Sequence, residues 1–138
     1  MSHHPLVLVD SGVLFAFYSN TDTHHSRVVR FFANCTSRLL TTPSCVTEVN
    51  WLLSRDWRTQ NEFLLDLARE VYECVPQLPQ DFVRIAELNA QYADLPGDFA
   101  DLSLVAISER LDIAAVASLD SDFDIYRRYR KQPFVRIL

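Results

Sequence analysis

Two apolar runs that each stop at an aspartate constrain the fold of this chain most strongly. The run Leu6–Val9 ends at Asp10, and the run from 113 to 119 ends at Asp120. Continuous apolar runs of this length are typical of strands covered on both faces in a parallel sheet. Because ligand sites in such sheets form beyond the carboxyl ends of the strands, the two aspartates are the first candidates for a functional site.

Segments with a helical period alternate with these strand-like runs. The predicted strands cover 6–9, 38–42, 72–75, 113–119 and 134–138. One or two helices are predicted over 13–18 and 23–32, and further helices over 43–53, 59–68, 79–93 and 99–111. This alternation predicts an α/β fold, a three-layer sandwich with a mostly parallel central sheet flanked by helices. Since the chain has 138 residues and no linker or repeat, residues 1–138 are predicted to form one domain.

Helix-start signals place two further acids near the same edge of the sheet. The helix that Thr42 caps carries Glu48 in its second turn. A break at Leu95-Pro96-Gly97 precedes Asp98, which is the predicted cap of the next helix. Asp101 therefore lies in the first turn of that helix.

Asp10, Glu48, Asp101 and Asp120 are expected to meet in one cluster. Four like charges within a few ångströms repel and raise one another's pKa unless a cation lies between them. Oxygen ligands without a histidine or cysteine partner favour Mg²⁺ or Mn²⁺ over zinc. Water activation and charge stabilisation by such an ion are the chemistry of hydrolytic nucleases, so the sequence predicts a metal-dependent nuclease site.

Each acid also has an ordinary structural explanation that the sequence leaves open. The alternatives are a strand end or cap for Asp10, a solvated helix position for Glu48, helix-start charges for Asp98 and Asp101, and an acidic turn for the run of Asp120, Asp122 and Asp124. Only the three-dimensional arrangement of these carboxylates decides between the two interpretations.

The composition argues against several other classes of site. Only two glycines, Gly12 and Gly97, are present, which argues against a glycine-rich phosphate-binding loop. The cysteines form no Cys-x-x-Cys pair and no two histidines stand four residues apart, which argues against zinc. The sequence has no secretory leader and no apolar run of the ~20 residues that span a bilayer. The expected location is therefore cytoplasmic, with no membrane partner.

A cluster of bases near the end of the chain is the candidate RNA-binding surface. The net charge of −5 opposes nucleic-acid binding unless the basic residues are gathered on one surface. The candidates for RNA contact are Arg127, Arg128, Arg130 and Lys131, which stand beside two tyrosines. An ordinary solvated helix face is the alternative explanation.

Large apolar side chains in the middle of the chain exceed what a sheet-covering helix needs. They are Trp51, Leu52, Phe63, Leu64 and Phe82. Core packing is the simplest explanation for them, and an interface with a partner protein is the alternative.

The acids lie in four short sequence motifs that are spread over nearly the whole chain. They are LVLVDSGVL at 6–14, TEV at 47–49, DFADLSLVA at 98–106 and SLDSDF at 118–123. In order and spacing they resemble the PIN domain family, and more narrowly the VapC-like ribonuclease toxins of prokaryotic toxin–antitoxin pairs. One departure is Ser118, where the family usually has threonine.

The resemblance implies a PIN-like fold and a metal-dependent endoribonuclease that uses Mg²⁺ or Mn²⁺. The residues matched are Asp10, Glu48 and Asp101 as metal-binding acids, Asp120 as the fourth acid, Asp98 as an accessory acid and Ser11 as a hydroxyl that orients the site. The resemblance also implies an RNA substrate, a homodimer, and a cognate antitoxin that occupies the acidic groove.

Two other functions stay open from the sequence. A non-catalytic PIN-like interaction module would use the groove only to bind a protein. A phosphate-ester hydrolase would use Asp10 as its nucleophile, but no second acid stands two residues after Asp10. RNA cleavage linked to Mn²⁺ binding separates a nuclease from an interaction module.

Overall fold

The computed structural model describes residues 3–95 and 97–138, in which strands and helices alternate. The strands are β1 Leu6–Val9, β2 Arg38–Thr41, β3 Glu73–Cys74, β4 Ala115–Ala117, β5 Arg127–Arg128, β6 Gln132–Pro133 and β7 Val135–Ile137. The helices are α1 Ser11–Tyr18, α2 His25–Ala33, α3 Pro43–Leu52, α4 Trp57–Ala68, α5 Pro79–Gln91 and α6 Phe99–Arg110, and a 3-10 helix covers Ser121–Asp124. In this part of the chain, no helix is both long and apolar enough to cross a bilayer.

Five strands form a parallel sheet in the order β3-β2-β1-β4-β7. From β1 the chain builds outward through β2 and β3, and then returns to the opposite side of β1 with β4. The order of strands therefore reverses between β1 and β4, and a crevice opens at their carboxyl ends. Asp10 follows β1 and Ser118 follows β4, so both residues lie at this switch point.

The sheet separates two hydrophobic cores, which confirms the predicted three-layer sandwich. Leu8 of β1 packs into the core that includes Ile85 of α5 and the apolar side chains of α6. Val7 and Val9 point to the opposite face, where the core is built with α1, α2 and α4. Because successive side chains of a strand alternate between faces, a strand buried on both sides must be apolar throughout.

Helix α6 lies at the centre of one helical layer, as its apolar composition predicts. Every residue from Ala100 to Ser108 is buried. Its first turn, which carries Asp101, begins beside the carboxyl ends of β1 and β4. The fold thus places a carboxylate in a largely apolar environment at the switch point.

The start of α4 differs from the prediction. The capping-box spacing of Thr59 and Glu62 predicts a helix from residue 59, but the helix begins at Trp57. The carboxylate of Asp56 accepts hydrogen bonds from the N–H groups of Arg58 and Thr59 at 3.1 and 3.4 Å. Asp56 is therefore the N-cap, because its side chain satisfies the first free donors of the helix.

Strand β4 is shorter than the predicted 113–119. It ends at Ala117, because the N–H of Asp120 already bonds to the Ser118 hydroxyl at 2.9 Å within the following turn. The final strand falls within the predicted 134–138. Pro96, part of the predicted break before α6, lies outside the described residues.

Candidate active site

Asp10 lies at the end of β1 with only 3% of its surface exposed. Its Oδ1 accepts a hydrogen bond from the N–H of Val13 at 3.0 Å, and its Oδ2 accepts one from the Ser118 hydroxyl. Asp10 is therefore also the N-cap of α1, which is the helix-capping role that the sequence left open for it. Ser11, the first residue of α1, is buried directly beside it.

Ser118 joins the two strands of the switch point through its hydroxyl group. This oxygen donates to Asp10 and accepts the N–H of Asp120 at 2.9 Å. The side chain is fully buried, so water does not compete for these bonds. The orientation of the Asp10 carboxylate is consequently coupled to the turn that carries Asp120.

Helix α6 brings Asp98 and Asp101 to the same edge. Asp98 is the N-cap, and its Oδ1 accepts the N–H of Asp101 at 2.8 Å, which confirms the predicted cap. The side chain of Asp98 is exposed, whereas Asp101 is only 7% exposed. The helix dipole favours a negative charge in the first turn of a helix. This effect is too small to offset the cost of removing the Asp101 carboxylate from water.

Tyr126 is the neutral partner of Asp101. The buried Tyr126 hydroxyl lies 3.4 Å from Oδ2 of Asp101 and donates to it. A Cβ atom on Gly97 would lie 2.6 Å from this hydroxyl oxygen. The absence of a side chain at residue 97 therefore allows Tyr126 to reach the carboxylate.

Asp120 and Asp122 complete the cluster on the turn after β4. Carboxylate oxygens of Asp101, Asp120 and Asp122 lie within 4.8 Å of one another. Asp120 caps the 3-10 helix by accepting the N–H of Asp122 at 2.9 Å. The acidic run is therefore both a capped turn and part of the carboxylate cluster, because Asp120 and Asp122 both lie close to Asp101.

The electrostatics show how strongly these groups influence one another. Burial raises the pKa of Asp101 to about 8, and the negative charges of Asp98, Asp10, Asp120 and Asp122 add to this effect in that order. Without a compensating cation, the Asp101 carboxyl group therefore retains its proton at neutral pH.

Asp10 is perturbed in the same direction. Burial raises its pKa to about 6, while the hydrogen bonds from Ser118 and Val13 lower it. Charges on Asp120 and Glu48 raise it further. Glu48, half-buried in the second turn of α3, is therefore within electrostatic range of Asp10, although it lies outside the tightest group of three acids.

The donor set fits a hard divalent cation. Every ionisable ligand in the cluster is a carboxylate, and the mutual repulsion seen in the pKa values is what a bound cation would relieve. Oxygen-only ligands are typical of Mg²⁺ and Mn²⁺ sites. Mg²⁺ or Mn²⁺ therefore suits these residues better than zinc does.

The structure brings the predicted acids to one edge of the sheet and adds one that the prediction missed. The sequence predicts Asp122 only as part of an acidic turn, yet it is one of the three closest carboxylates. The spacing of Asp120 and Asp122, two residues apart after a strand, was the available signal. Asp124 points elsewhere and pairs with Arg136 at 3.0 Å.

The basic residues predicted to contact RNA lie on a hairpin rather than on a helix face. Arg128 requires a correction, because its side chain is only 4% exposed and donates to Asp112 at 2.8 Å. Arg127 donates to backbone carbonyl groups of residues 124–126, and Arg130 pairs with Glu87. Lys131 is exposed. Arg128 thus stabilises the fold and is removed from the RNA-contact set.

This hairpin contacts the end of α6 that is remote from the acids. The N–H of Tyr129 donates to the Glu109 carboxylate at 2.8 Å. Glu109 is eight residues after Asp101, which corresponds to about 12 Å along a helix axis. The turn of the hairpin at Tyr129 therefore lies away from the carboxylate cluster.

The large apolar side chains divide between the core and the surface. Phe63 is fully buried, whereas Trp51 is 73% and Phe82 is 52% exposed. Leu52 and Leu64 are also exposed, as is Trp57 at the start of α4. A groove of about 1160 Å³ runs between α1, α3 and α4 and is lined in part by Tyr18, Trp51 and Leu65. Core packing therefore explains only part of this set.

Comparison with known sequences identifies a family. A family model described as "PIN domain" matches residues 7–129. This match includes β1 from Val7 onward, β2 to β4, all six helices and each acid of the cluster, and it ends before β7. No curated protein sequence matches the chain at a significant level.

Solved structures share the fold at low sequence identity. VapC20 of Mycobacterium tuberculosis, a sarcin–ricin-loop-cleaving toxin, is 17% identical with a TM-score of 0.80, covering 86% of this chain and 93% of its own. VapBC2 of Rickettsia felis, bound to a promoter DNA fragment, is 10% identical with a TM-score of 0.67, covering 95% and 98%. FitAcB of Neisseria gonorrhoeae is 16% identical with a TM-score of 0.61, covering 83% and 88%. At these identities the likeness concerns the fold.

Proposed function

Because the chain belongs to the PIN domain family, we propose that it is a metal-dependent endoribonuclease and the toxin of a VapBC-type toxin–antitoxin pair. The observation that carries this proposal is the convergence of Asp10, Asp101, Asp120 and Asp122 at the switch point of the sheet. The similar solved structures that are named as VapC and VapBC proteins support it.

Asp101, Asp120 and Asp122 would hold Mg²⁺ or Mn²⁺, with Asp10 and Glu48 beside them. The ion would supply positive charge for a phosphodiester oxygen and make a nearby water more acidic. To act as a ligand, Asp101 would have to give up the proton that it retains in the metal-free protein, since a carboxylate must be ionised to bind a metal.

The chain itself supplies the fixed orientation of these acids. Two hydrogen bonds hold the Asp10 carboxylate, one from Val13 and one from Ser118. Asp98 anchors the backbone at Asp101, and Tyr126 donates to the side chain of Asp101. Such hydrogen bonds to metal-binding carboxylates keep the ligands in place before substrate arrives.

The proposed protein partners fit the two exposed apolar surfaces. The groove between α1, α3 and α4 is apolar at Trp51 and Leu65 and charged at Asp66, which suits a further segment of an antitoxin whose other part would occupy the acidic groove. Phe82 and Phe99 stack at 6.3 Å on the other side of the sheet, and both rings are about half exposed. This exposed aromatic pair suits contact with a second copy of the chain.

The test is cleavage of single-stranded and structured RNA by the purified protein during a titration with Mn²⁺. Wild-type protein should cut RNA in proportion to the metal bound, and Asp10→Asn should abolish cleavage while keeping the circular dichroism spectrum. Asp124→Asn is the matched control, because this acid pairs with Arg136 outside the cluster.

Two results would contradict the proposal. Equal turnover by wild type and Asp10→Asn would assign the cleavage to a contaminant. A folded protein that binds a protein partner but neither binds Mn²⁺ nor cuts RNA would instead be the interaction module.

A further inference from the structure

Two buried hydroxyl groups join the start of helix α3 to the start of helix α6. Thr42 is the N-cap of α3, and Ser103 is the fifth residue of α6. Both side chains are fully buried, and their hydroxyl oxygens lie 2.8 Å apart. Thr42 and Ser103 therefore form a hydroxyl bridge between two helices that are far apart in the chain.

The other partners of each oxygen define the direction of the hydrogen bonds in the bridge. Ser103 donates its proton to the backbone carbonyl of Ala100 at 2.6 Å. Since a hydroxyl group carries one proton, Thr42 is the donor in its contact with Ser103. The Thr42 oxygen also accepts the N–H of Cys45 at 3.4 Å, and the Cys45 thiol donates to the Ala100 carbonyl at 3.9 Å. The hydrogen bonds thus form a closed ring between the first turns of the two helices.

The hydroxyl bridge lies at the same edge of the sheet as the acid cluster. Leu8 of β1 pairs with Leu40 of β2, so Asp10 and Thr42, each two residues further on, stand side by side beyond the strands. Burial raises the pKa of the Cys45 thiol to about 12, and the charge of Asp10 contributes to this rise. The ring is therefore within electrostatic range of Asp10.

Each of the two bridged helices carries one acid of the proposed site. Glu48 follows Thr42 by six residues on α3, and Asp101 precedes Ser103 by two residues on α6. In addition to the effect of burial, the charge of Glu48 raises the pKa of Asp10, and the charge of Asp10 raises that of Asp101. Within residues 3–95 and 97–138, no hydrogen bond or ion pair holds the Glu48 carboxylate. Its position therefore depends on the placement of α3.

Apolar packing alone defines the relative position of two helices less sharply than a hydrogen bond does. The neighbours of Ser103 on α6, Leu102 and Leu104, are buried apolar residues. Hydrophobic burial has no preferred direction, whereas a hydrogen bond weakens steeply when its distance or angle changes. Separation of the two buried hydroxyls would also leave polar groups without partners. The hydroxyl bridge therefore opposes sliding of α3 along α6.

We propose that Thr42 and Ser103 are positioning residues that hold Glu48 and Asp101 in place around the divalent cation, an inference that rests on the proposed metal-dependent function. Mg²⁺ requires nearly ideal octahedral geometry, so a small shift of one helix lowers the affinity for the ion. Both hydroxyls have protein partners, and they act through the backbone of the two helices rather than as ligands.

The experiment compares Ser103→Ala with Ser108→Ala. Ser108 is also fully buried on α6, and its hydroxyl donates to the carbonyl of Val105 at 2.6 Å. Both substitutions therefore remove the same kind of hydrogen bond within the same helix, but only Ser103→Ala breaks the contact with Thr42. Calorimetric titration measures the affinity for Mn²⁺, and thermal unfolding in EDTA measures the stability of the metal-free protein.

Ser103→Ala should weaken Mn²⁺ binding by about tenfold, which is the low end of the effect of groups that orient metal ligands. Ser108→Ala should keep the wild-type affinity, although it should lower the unfolding temperature by about 3–5 °C through the lost hydrogen bond. Thr42→Val should weaken Mn²⁺ binding as Ser103→Ala does, whereas Thr42→Ser keeps the hydroxyl and should retain the affinity. Equal Mn²⁺ affinities for Ser103→Ala and Ser108→Ala would overturn the inference.

The double variant of Thr42→Val and Ser103→Ala distinguishes a shared link from two separate effects. Because both substitutions break the same bridge, the double variant should bind Mn²⁺ about as weakly as the weaker single variant. Independent losses would multiply to about a hundredfold, and this result would also overturn the inference.

The thiol of Cys45 provides a second readout that needs no metal. In a Cys35→Ser, Cys74→Ser background, Cys45 is the one remaining cysteine of the chain. Its modification by a thiol reagent in EDTA should be severalfold faster with Ser103→Ala than with Ser108→Ala, because the ring around Cys45 is opened. Equal rates would show that the hydroxyl bridge does not hold the two helices together.

The same data separate this inference from the proposed function. Wild-type protein that binds no Mn²⁺ and cuts no RNA would overturn both. Wild-type protein that binds Mn²⁺ and cuts RNA, while Ser103→Ala behaves as Ser108→Ala does, would overturn the positioning role alone.

Discussion

The hydroxyl of Ser118 donates to Oδ2 of Asp10 and joins two residues that are 108 positions apart in the chain. The same oxygen accepts the N–H of Asp120. One buried atom therefore sets the orientation of an acid on β1 and the path of the turn after β4.

Ser118→Ala should weaken Mn²⁺ binding by about tenfold or more, because hydrogen-bond donors to metal-binding groups contribute at this level. The same change should cost about 1–2 kcal/mol of stability through the lost buried hydrogen bonds. Ser118→Thr keeps the hydroxyl and should restore most of the affinity. Calorimetric titration with Mn²⁺ measures the effect, and equal affinities for alanine and threonine variants would refute it.

The metal-free protein should become less stable as the pH rises. Asp101 has a pKa of about 8 and Asp10 of about 6 in the folded chain, both above the ~3.9 of an unfolded aspartate. The folded state therefore holds more protons above pH ~3.9, and the stability present below that pH is lost progressively up to pH 6 for Asp10 and up to pH 8 for Asp101. In EDTA the unfolding temperature should fall by about 5–10 °C between pH 6 and pH 8.

Two variants test the origin of that pH dependence. Asp101→Asn cannot ionise and should flatten the upper part of the curve, between pH 6 and pH 8. Asp124→Asn should leave the curve unchanged, since Asp124 lies against Arg136 instead. Addition of Mn²⁺ to wild-type protein should also remove the fall. A wild-type curve that keeps its shape after Asp101→Asn would show that other groups cause it.

Asp122→Asn should reduce Mn²⁺ affinity by about tenfold, whereas Asp124→Asn should change it little. Both substitutions remove one charge from the same 3-10 helix, but only Asp122 lies within 4.8 Å of Asp101 and Asp120. Isothermal titration of the two variants side by side makes the comparison. Equal losses would mean that the turn contributes only diffuse negative charge.

Asp10, Asp101 and Asp120 were predictable because local patterns fix their positions. Asp10 and Asp120 follow apolar strands, and Asp98 caps the helix that carries Asp101. Parallel strands then bring these chain segments to a common edge. The three-layer fold was predictable for the same reason, since β1 is apolar on both faces.

The turn that carries Asp122 was not predictable in this way. Its position depends on how the chain folds back over the start of α6, a long-range contact that the spacing of Asp120 and Asp122 does not define by itself. The hairpin of β5 and β6 was missed because Tyr129 and Arg130 adopt positive φ values of 50° and 70°, where sequence rules expect glycine or asparagine. The burial of Arg128 and its ion pair with Asp112 could not be predicted either, because both depend on the position of this hairpin.

Gly97→Ala should destabilise the protein by about 1–3 kcal/mol, because the new methyl group would lie 2.6 Å from the Tyr126 hydroxyl oxygen. Displacement of Tyr126 would also remove its hydrogen bond to Asp101. Tyr126→Phe deletes the clashing atom, so the double variant should be more stable than the sum of the two single changes predicts. Chemical denaturation of all four proteins measures this coupling. Additive effects would show that the backbone at residue 97 moves away and that Tyr126 keeps its place.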